Sequence, residues 1–162
     1  MKFKNDIGRS MMEMILYLGL IVVLTASTLK MYADSVEKTR LVEFETTIDE
    51  VKENVNNYFL GRQVPSDWNP FLNEVYKGSI YNPWGGNITL LKGEGESKIN
   101  YGMQLTDLEQ AVCIRVANAF IGKEAIAVNI DGTNLTDSNL NIGAVAGACK
   151  DDATVIGYFK KE

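Results

Sequence analysis

The stretch Gly8-Arg9-Ser10-Met11-Met12-Glu13 is followed by residues 14–29, in which every side chain is apolar, small or hydroxyl-bearing. Together they look like a membrane-length helix with one carboxylate at its mouth. A charged side chain well inside a bilayer costs roughly 2.5 to 3.5 kcal/mol, less near the interface, so such residues tend to be partnered and functional. Glu13 therefore needs a cation. The sequence offers two: the guanidinium of Arg9, four residues back on the same helical face, or an α-amino group created by cutting the chain after Gly8.

Residues 14–29 cover roughly 24 Å at ~1.5 Å per residue, somewhat short of a ~30 Å hydrocarbon core, and residues 9–12 extend them to spanning length. Lys2 and Lys4 precede the run, which keeps the N-terminus cytoplasmic and places everything after Lys30 outside. A cleaved secretory signal also combines a basic start with an apolar core. Against it, no small-x-small site closes the run, and the helical pattern continues through Lys30-Met31-Tyr32 without a turn signal.

The helix then becomes amphipathic. Leu41, Phe44, Ile48, Val51, Val55 and Tyr58 recur every three or four residues and mark one apolar stripe between charged faces. Gly61 ends the pattern, and Pro65 bars its continuation. One helix is predicted from Arg9 to near Leu60, longer than an ordinary globular helix and suited to a membrane or a filament.

Composition narrows the function. The 162 residues are 46% hydrophobic, carry a net charge of -5 and include no histidine. No imidazole is then present for general-base chemistry or metal ligation near neutral pH. The acidic balance argues against broad electrostatic binding of nucleic acid. Asp49, Glu50 and Glu53, and the pair Asp151 and Asp152, read as solvated carboxylates rather than a catalytic set. Asp131-Gly132-Thr133-Asn134 with Asp137 lacks the ligand order of a calcium loop and reads as a hairpin turn. Gly93-Glu94-Gly95-Glu96 is no phosphate loop: no Gly-Lys-Ser/Thr follows, and two glutamates would repel phosphate. The chain is read as non-enzymatic, with no catalytic residue, metal or cofactor.

The glycine, the five-residue step to Glu13 and the uncharged helix together resemble the class III signal of type IV pilins and related pseudopilins. The resemblance implies cleavage between Gly8 and Arg9 by a prepilin peptidase, with Arg9 as the new terminus and its amine a candidate for N-methylation. It implies that Glu13 neutralises the terminal amine of a neighbouring subunit when helices pack in a filament, which also sets axial register. Residues 1–8 are then a leader, 9–30 the membrane-spanning and filament-core half of the helix, 31–60 its amphipathic half and 61–162 a globular head. Members of the family commonly have phenylalanine or another apolar residue where this chain has Arg9, so an intrachain Arg9–Glu13 pair stays open. They also commonly interrupt the helix with glycine and proline. Here Thr25, Ser27 and Thr28 occupy that stretch and can bend a helix by bonding back to the preceding turn.

In the head, a short helix is predicted over residues 70–76. Asn82-Pro83-Trp84-Gly85-Gly86 reads as a turn into a strand at residues 87–92, an order that resembles the segment between helix and sheet in pilins. The aromatics Trp68, Phe71, Tyr76, Tyr81 and Trp84 pack this loop or form a carbohydrate platform. Residues 93–96 connect to a return strand at 98–105. Thr106-Asp107-Leu108-Glu109 has the form of a capping box, opening a helix to about Phe120 with Gly122 as its C-cap. Its buried face would hold Leu108, Val112, Val116 and Ala119 or Phe120, with Cys113 beside it. Residues 125–130 suggest a buried strand, 131–134 a turn, 135–141 an exposed polar connection, 142–149 a small-residue helical turn and 153–159 a final strand. Strand order is not readable.

Cys113 and Cys149 both fall in the part predicted to lie outside, where one disulfide is the simplest expectation and two unrelated buried thiols the alternative. Closing a loop of about 37 residues stabilises a fold by roughly 3 to 4 kcal/mol in the chain-entropy picture. A capped helix bearing one cysteine, a strand, a loop and a second cysteine near the C-terminus resembles the disulfide-bounded region of type IVb pilins. The fold class implied is α+β: a type IV pilin fold with a long N-terminal helix packed on a small antiparallel sheet and a disulfide-bounded C-terminal region.

The function implied is that of a structural pilin, held in the inner membrane as a precursor with its N-terminus cytoplasmic and its head periplasmic. It would then polymerise with itself into a cell-surface pilus. Its implied partners are the prepilin peptidase, the assembly platform and minor pilins. A minor pilin or secretion pseudopilin is the alternative within the family, and a single-pass anchored binding domain that never polymerises is the alternative outside it.

Overall fold

A computed structural model describes residues 4–60, 62–93, 100–136 and 141–161, with side chains from Met11 onward. Helix α1 spans Lys4–Tyr58, beginning before the expected Arg9. Its hydroxyl residues bond back to the preceding turn: Thr25 Oγ1 donates to the carbonyls of Ile21 (2.9 Å) and Val22 (3.0 Å), Ser27 to Val23 (2.9 Å) and Thr28 to Thr25 (2.9 Å). Each hydroxyl is thereby satisfied within its own helix, as an apolar surrounding requires. The chain divides into two compact units, Met1–Thr39 and Arg40–Glu162. In the first, every described side chain through Ser35 is exposed.

In the second unit, the stripe Phe44, Ile48, Val51 and Val55 is fully buried. It meets α2 (Asn69–Tyr76), α3 (Gln110–Gly122) and a six-stranded sheet made of β1 (Ile80–Tyr81), β2 (Asn87–Lys92), β3 (Asn100–Leu108), β4 (Ala127–Ile130), β5 (Thr133–Thr136) and β6 (Ala153–Lys160). The spatial order is β1-β2-β3-β6-β4-β5, and every neighbouring pair is antiparallel. The last strand in sequence is thus central. A short helix α4 (Ile142–Ala148) precedes it.

Register separates the two faces of the sheet, because alternate residues of a strand point to opposite sides. Leu90, Met103, Gly157 and Val128 stand opposite one another across four strands, as do Leu105, Val155 and Ile130 across three. These rows are buried and form the core face. Gly157 is required there: a Cβ would lie 2.5 Å from the Phe120 ring of α3. The intervening rows, Leu91-Gly102-Tyr158-Ala127 and Thr89-Gln104-Ile156-Asn129, form the opposite face.

The loop aromatics divide. Trp68 and Phe71 are buried and meet Phe59 edge-on or tilted with centroids 5.6 Å apart, and Trp84 meets Phe44 edge-on at 5.5 Å. Tyr81 stays 77% exposed. Most of the cluster is therefore packing.

Several sequence expectations need correction. Thr106 and Asp107 are not a helix cap: β3 continues through Leu108, with a register shift between Leu105 and Leu108 and Asp107 at φ 58°. The first residue of α3 is Gln110, and its backbone N–H donates to Asp151 Oδ1 at 3.1 Å, a carboxylate from the turn before β6. Gly122 lies inside α3, and Lys123 is the C-cap. The buried face of α3 centres on Cys113, Val116, Ala117, Ala119 and Phe120, while Val112 is only partly buried. Thr133 and Asn134 belong to β5, because Asp131 (φ 47°) and Gly132 (φ 86°) complete the hairpin turn by themselves. Leu135 is accordingly a buried strand residue, 3% exposed, instead of part of a polar connection. Strand β1 went unread because two residues carry no periodicity. The hairpin residues 94–99 and the connection at 137–140 lie outside the described residues.

Candidate functional site

Two regions carry the residues singled out by sequence. The first is the N-terminal part of α1. Gly8 and Arg9 lie on its helical backbone, but the Arg9 side chain, and with it the Arg9–Glu13 pair, is outside the described residues. Glu13 is exposed among Met11, Met12, Met14, Ile15, Leu16 and Tyr17, all more than half exposed. Among the described residues α1 is the one helix long and apolar enough to cross a membrane, by length and composition. A surface of this kind needs lipid or other helices to cover it.

The second region is disulfide-bounded. Cys113, on the first turn of α3, is bonded to Cys149, the C-cap of α4, with Cα atoms 5.8 Å apart, and both are buried. Hydrogen bonds lace the same corner. Gln110 Nε2 donates to the Cys149 carbonyl (3.1 Å), Cys149 N–H to the Val145 carbonyl (3.0 Å), and Ala144 N–H to Asn141 Oδ1 (2.8 Å), the N-cap of α4. Asp151 completes it by capping α3. The start of α3, the end of α4 and the entry to β6 are therefore one cross-linked corner, though they lie about 40 residues apart in sequence.

Several of the other charged residues have structural roles. Helix α1 has no basic residue in its last turn. Lys161, buried just after β6, fills that role by donating to the carbonyls of Phe59 and Arg62. Lys123 Nζ lies 2.5 Å from Asp49 Oδ2; that hydrogen bond raises the lysine pKa. Tyr58 is raised chiefly by donating to Glu74, and Tyr76 chiefly by burial. Asp49 and Asp151, members of the carboxylate clusters weighed for catalysis, thus act as an ion-pair partner and a helix cap. A groove of about 610 Å³ is lined by Lys52, Glu53, Asn56, Asn57, Glu124, Phe159 and Lys160, a mixed-charge set with no nucleophile–base pair. Among the described residues no group of three or more His, Cys, Asp or Glu is placed to hold a metal. Sequence reading missed the Asp151 cap and the Lys161 contacts, because each depends on a partner far along the chain.

The fold is similar to that of a type IV b pilin from Salmonella typhi, with a TM-score of 0.54 and 15% identity over 74% of this chain and 97% of that one. It is also similar to TcpA, a type IV pilin from Vibrio cholerae El Tor biotype, with a TM-score of 0.56 and 12% identity over 75% and 99%. These likenesses establish the α+β type IV pilin fold. In sequence the chain is 25% identical over 188 aligned positions to the major structural subunit of bundle-forming pilus from Escherichia coli O127:H6 (strain E2348/69 / EPEC), covering 99% of this chain and 97% of that protein. The corresponding subunit of Escherichia coli O111:H- is 24% identical with the same coverage. The family model described as PilS N terminal matches residues 34–158, and the chain belongs to that family.

Proposed function

We infer that the protein is a structural pilin, polymerised through its N-terminal helix into a type IVb pilus at the cell surface. The observation that carries this reading is the apolar surface of α1: residues 14–29 are exposed throughout, with Glu13 just before them. That surface suits a bilayer before assembly and the packed helices of a filament afterwards. Family membership and the relatives that are major subunits of bundle-forming pili support the same reading.

In this reading a prepilin peptidase removes residues 1–8, and Arg9 becomes the mature terminus, its amine open to N-methylation. Glu13 then neutralises the terminal amine of a neighbouring subunit. A carboxylate and an amine that are both desolvated strongly favour one register, because misplacing either leaves a buried charge unpaired. Residues 9–30 form the membrane and filament-core half of the helix, 31–60 its amphipathic half and 61–162 the head. The precursor sits in the inner membrane with its head periplasmic, and an assembly platform with minor pilins extracts it.

N-terminal mass spectrometry of the mature protein tests the processing step. A chain beginning at Arg9 is expected, and one beginning at Met1 or beyond Ala26 would reject it. The Glu13→Ala variant is expected to insert and fold but to enter filaments at less than about a tenth of the wild-type level, because an unpaired amine costs several kcal/mol. Normal filament yield from that variant would rule out the assembly role of Glu13.

A further inference from the structure

Residues 62–66 lead away from the end of α1 without regular structure, and Arg62 and Gln63 are exposed. Val64 and Trp68 tuck into the core farther along, so the start of this segment is its least anchored part. The Arg62 N–H donates to the Phe59 carbonyl (2.8 Å), a bond within the turn itself. Among the described residues, one hydrogen bond ties residues 62–66 to a distant part of the chain: Lys161 Nζ donates to the Arg62 carbonyl across 99 residues of sequence. The same ammonium donates to the Phe59 carbonyl. Lys161 is 6% exposed, the one charged side chain that is buried among the described residues.

An exposed, irregular segment with a basic side chain is where an endoprotease ordinarily nicks a folded domain. Such an enzyme must draw the scissile carbonyl oxygen into its oxyanion hole. For the Arg62–Gln63 bond that oxygen is the one Lys161 already holds, while the Arg62 side chain stands open to recognition. The bond can therefore be attacked only after the lysine lets go. Hydrolysis there would add water across the amide, leaving a carboxylate on Arg62 and an amine on Gln63. The Cys113–Cys149 disulfide lies wholly beyond the cut, so no covalent link would then join α1 to the sheet.

We propose that Lys161 is a latch that withholds the Arg62–Gln63 bond from endoproteases that cut after a basic residue. It closes the exit of α1 from the far side of the sheet, through the carbonyl that such an enzyme needs. This goes beyond the filament reading and does not depend on it, because the latch lies within one head.

The experiment treats the full chain, in detergent micelles, with an arginine-specific endoprotease and times the products by mass spectrometry. Losing a hydrogen bond from an ionised donor raises the open population, so Lys161→Met is expected to be cut after Arg62 about ten- to a hundredfold faster than wild type. Cleavage after Arg115, inside α3, requires the head to unfold and is expected to stay unchanged. Lys161→Arg keeps a cationic donor and is expected to remain within about threefold of wild type. Lys160→Met, at the exposed neighbouring position, is expected to match wild type. Wild-type cutting of Lys161→Met after Arg62 overturns the proposal. So does equal acceleration after Arg62 and Arg115, or a methionine variant with no folded head, since either assigns Lys161 to global stability. Acceleration of Lys161→Arg to the level of Lys161→Met also overturns it, because packing and not donation would then be responsible.

Discussion

The same helix carries two opposite arrangements of apolar side chains. In residues 14–29 of α1, Leu16, Leu20 and Leu24 are 72%, 62% and 56% exposed, whereas Phe44, Ile48, Val51 and Val55 of the same element are sealed. The difference is one of pattern. The first stretch is apolar on every side, and the second is apolar on one stripe. A stripe can be covered by one sheet and one neighbouring helix, but an all-round apolar surface needs neighbours on every side. The first stretch is therefore built for partners outside the subunit, and the second for the subunit's own core.

Paired truncations in the full chain, followed by denaturant titration in detergent, test that contrast most sharply. Phe44→Ala is expected to lower head stability by about 3 to 5 kcal/mol, whereas Leu24→Ala is expected to change it by less than about 0.5 kcal/mol. A comparable loss from Leu24→Ala would erase the distinction. The disulfide belongs wholly to the second region. Replacing Cys113 and Cys149 together by alanine is expected to cost about 3 to 4 kcal/mol of head stability, with insertion of α1 unchanged.

The Asp151 cap is a smaller element of the same corner. Asp151→Ala is expected to cost about 1 kcal/mol, and Asp151→Asn, which still accepts a hydrogen bond, distinctly less. Equal losses from both variants would assign the effect to charge instead of capping. The smallest expected effect is at alkaline pH. Lys123 and Tyr58 are raised by their carboxylate partners and Tyr76 chiefly by burial. The folded state holds these protons more tightly than the unfolded chain. Their contribution is present below the ordinary values and is lost as pH rises above about 10. A histidine-free chain has no imidazole step between about pH 5 and 8, so a sharp stability change there would contradict this account.

What could be read in the sequence was local. The stripe from Leu41 to Tyr58, the short helix ending at Tyr76 and the strand Asn87–Lys92 all follow from periodicity or turn chemistry within a few residues. What could not be read depends on distant partners. Thr106-Asp107-Leu108-Glu109 has the spelling of a cap, yet the sheet claims Leu108 through its pairing with Ala153, and α3 takes its cap from Asp151. Two-residue β1 and the split of residues 131–136 between a turn and β5 likewise follow from neighbours that periodicity does not reveal. In the candidate site, Glu13 was legible because a carboxylate in a membrane-length helix is anomalous by itself. The Lys161 contacts were not, because nothing near Lys161 in sequence announces the carbonyls of Phe59 and Arg62.

The central position of β6 bears on how the molecule is made. Strands β3 and β4 have no pairing with each other; both pair with residues 153–160, so the two halves of the sheet are joined through one strand. The sheet therefore closes only when β6 inserts between them, and the long-range pairing that completes it is the slow kind. A chain lacking residues 153–160 would present two unpaired strand edges, each a template for pairing with another chain. The order of strands thus makes the sheet all-or-none: without β6 its two halves are not joined.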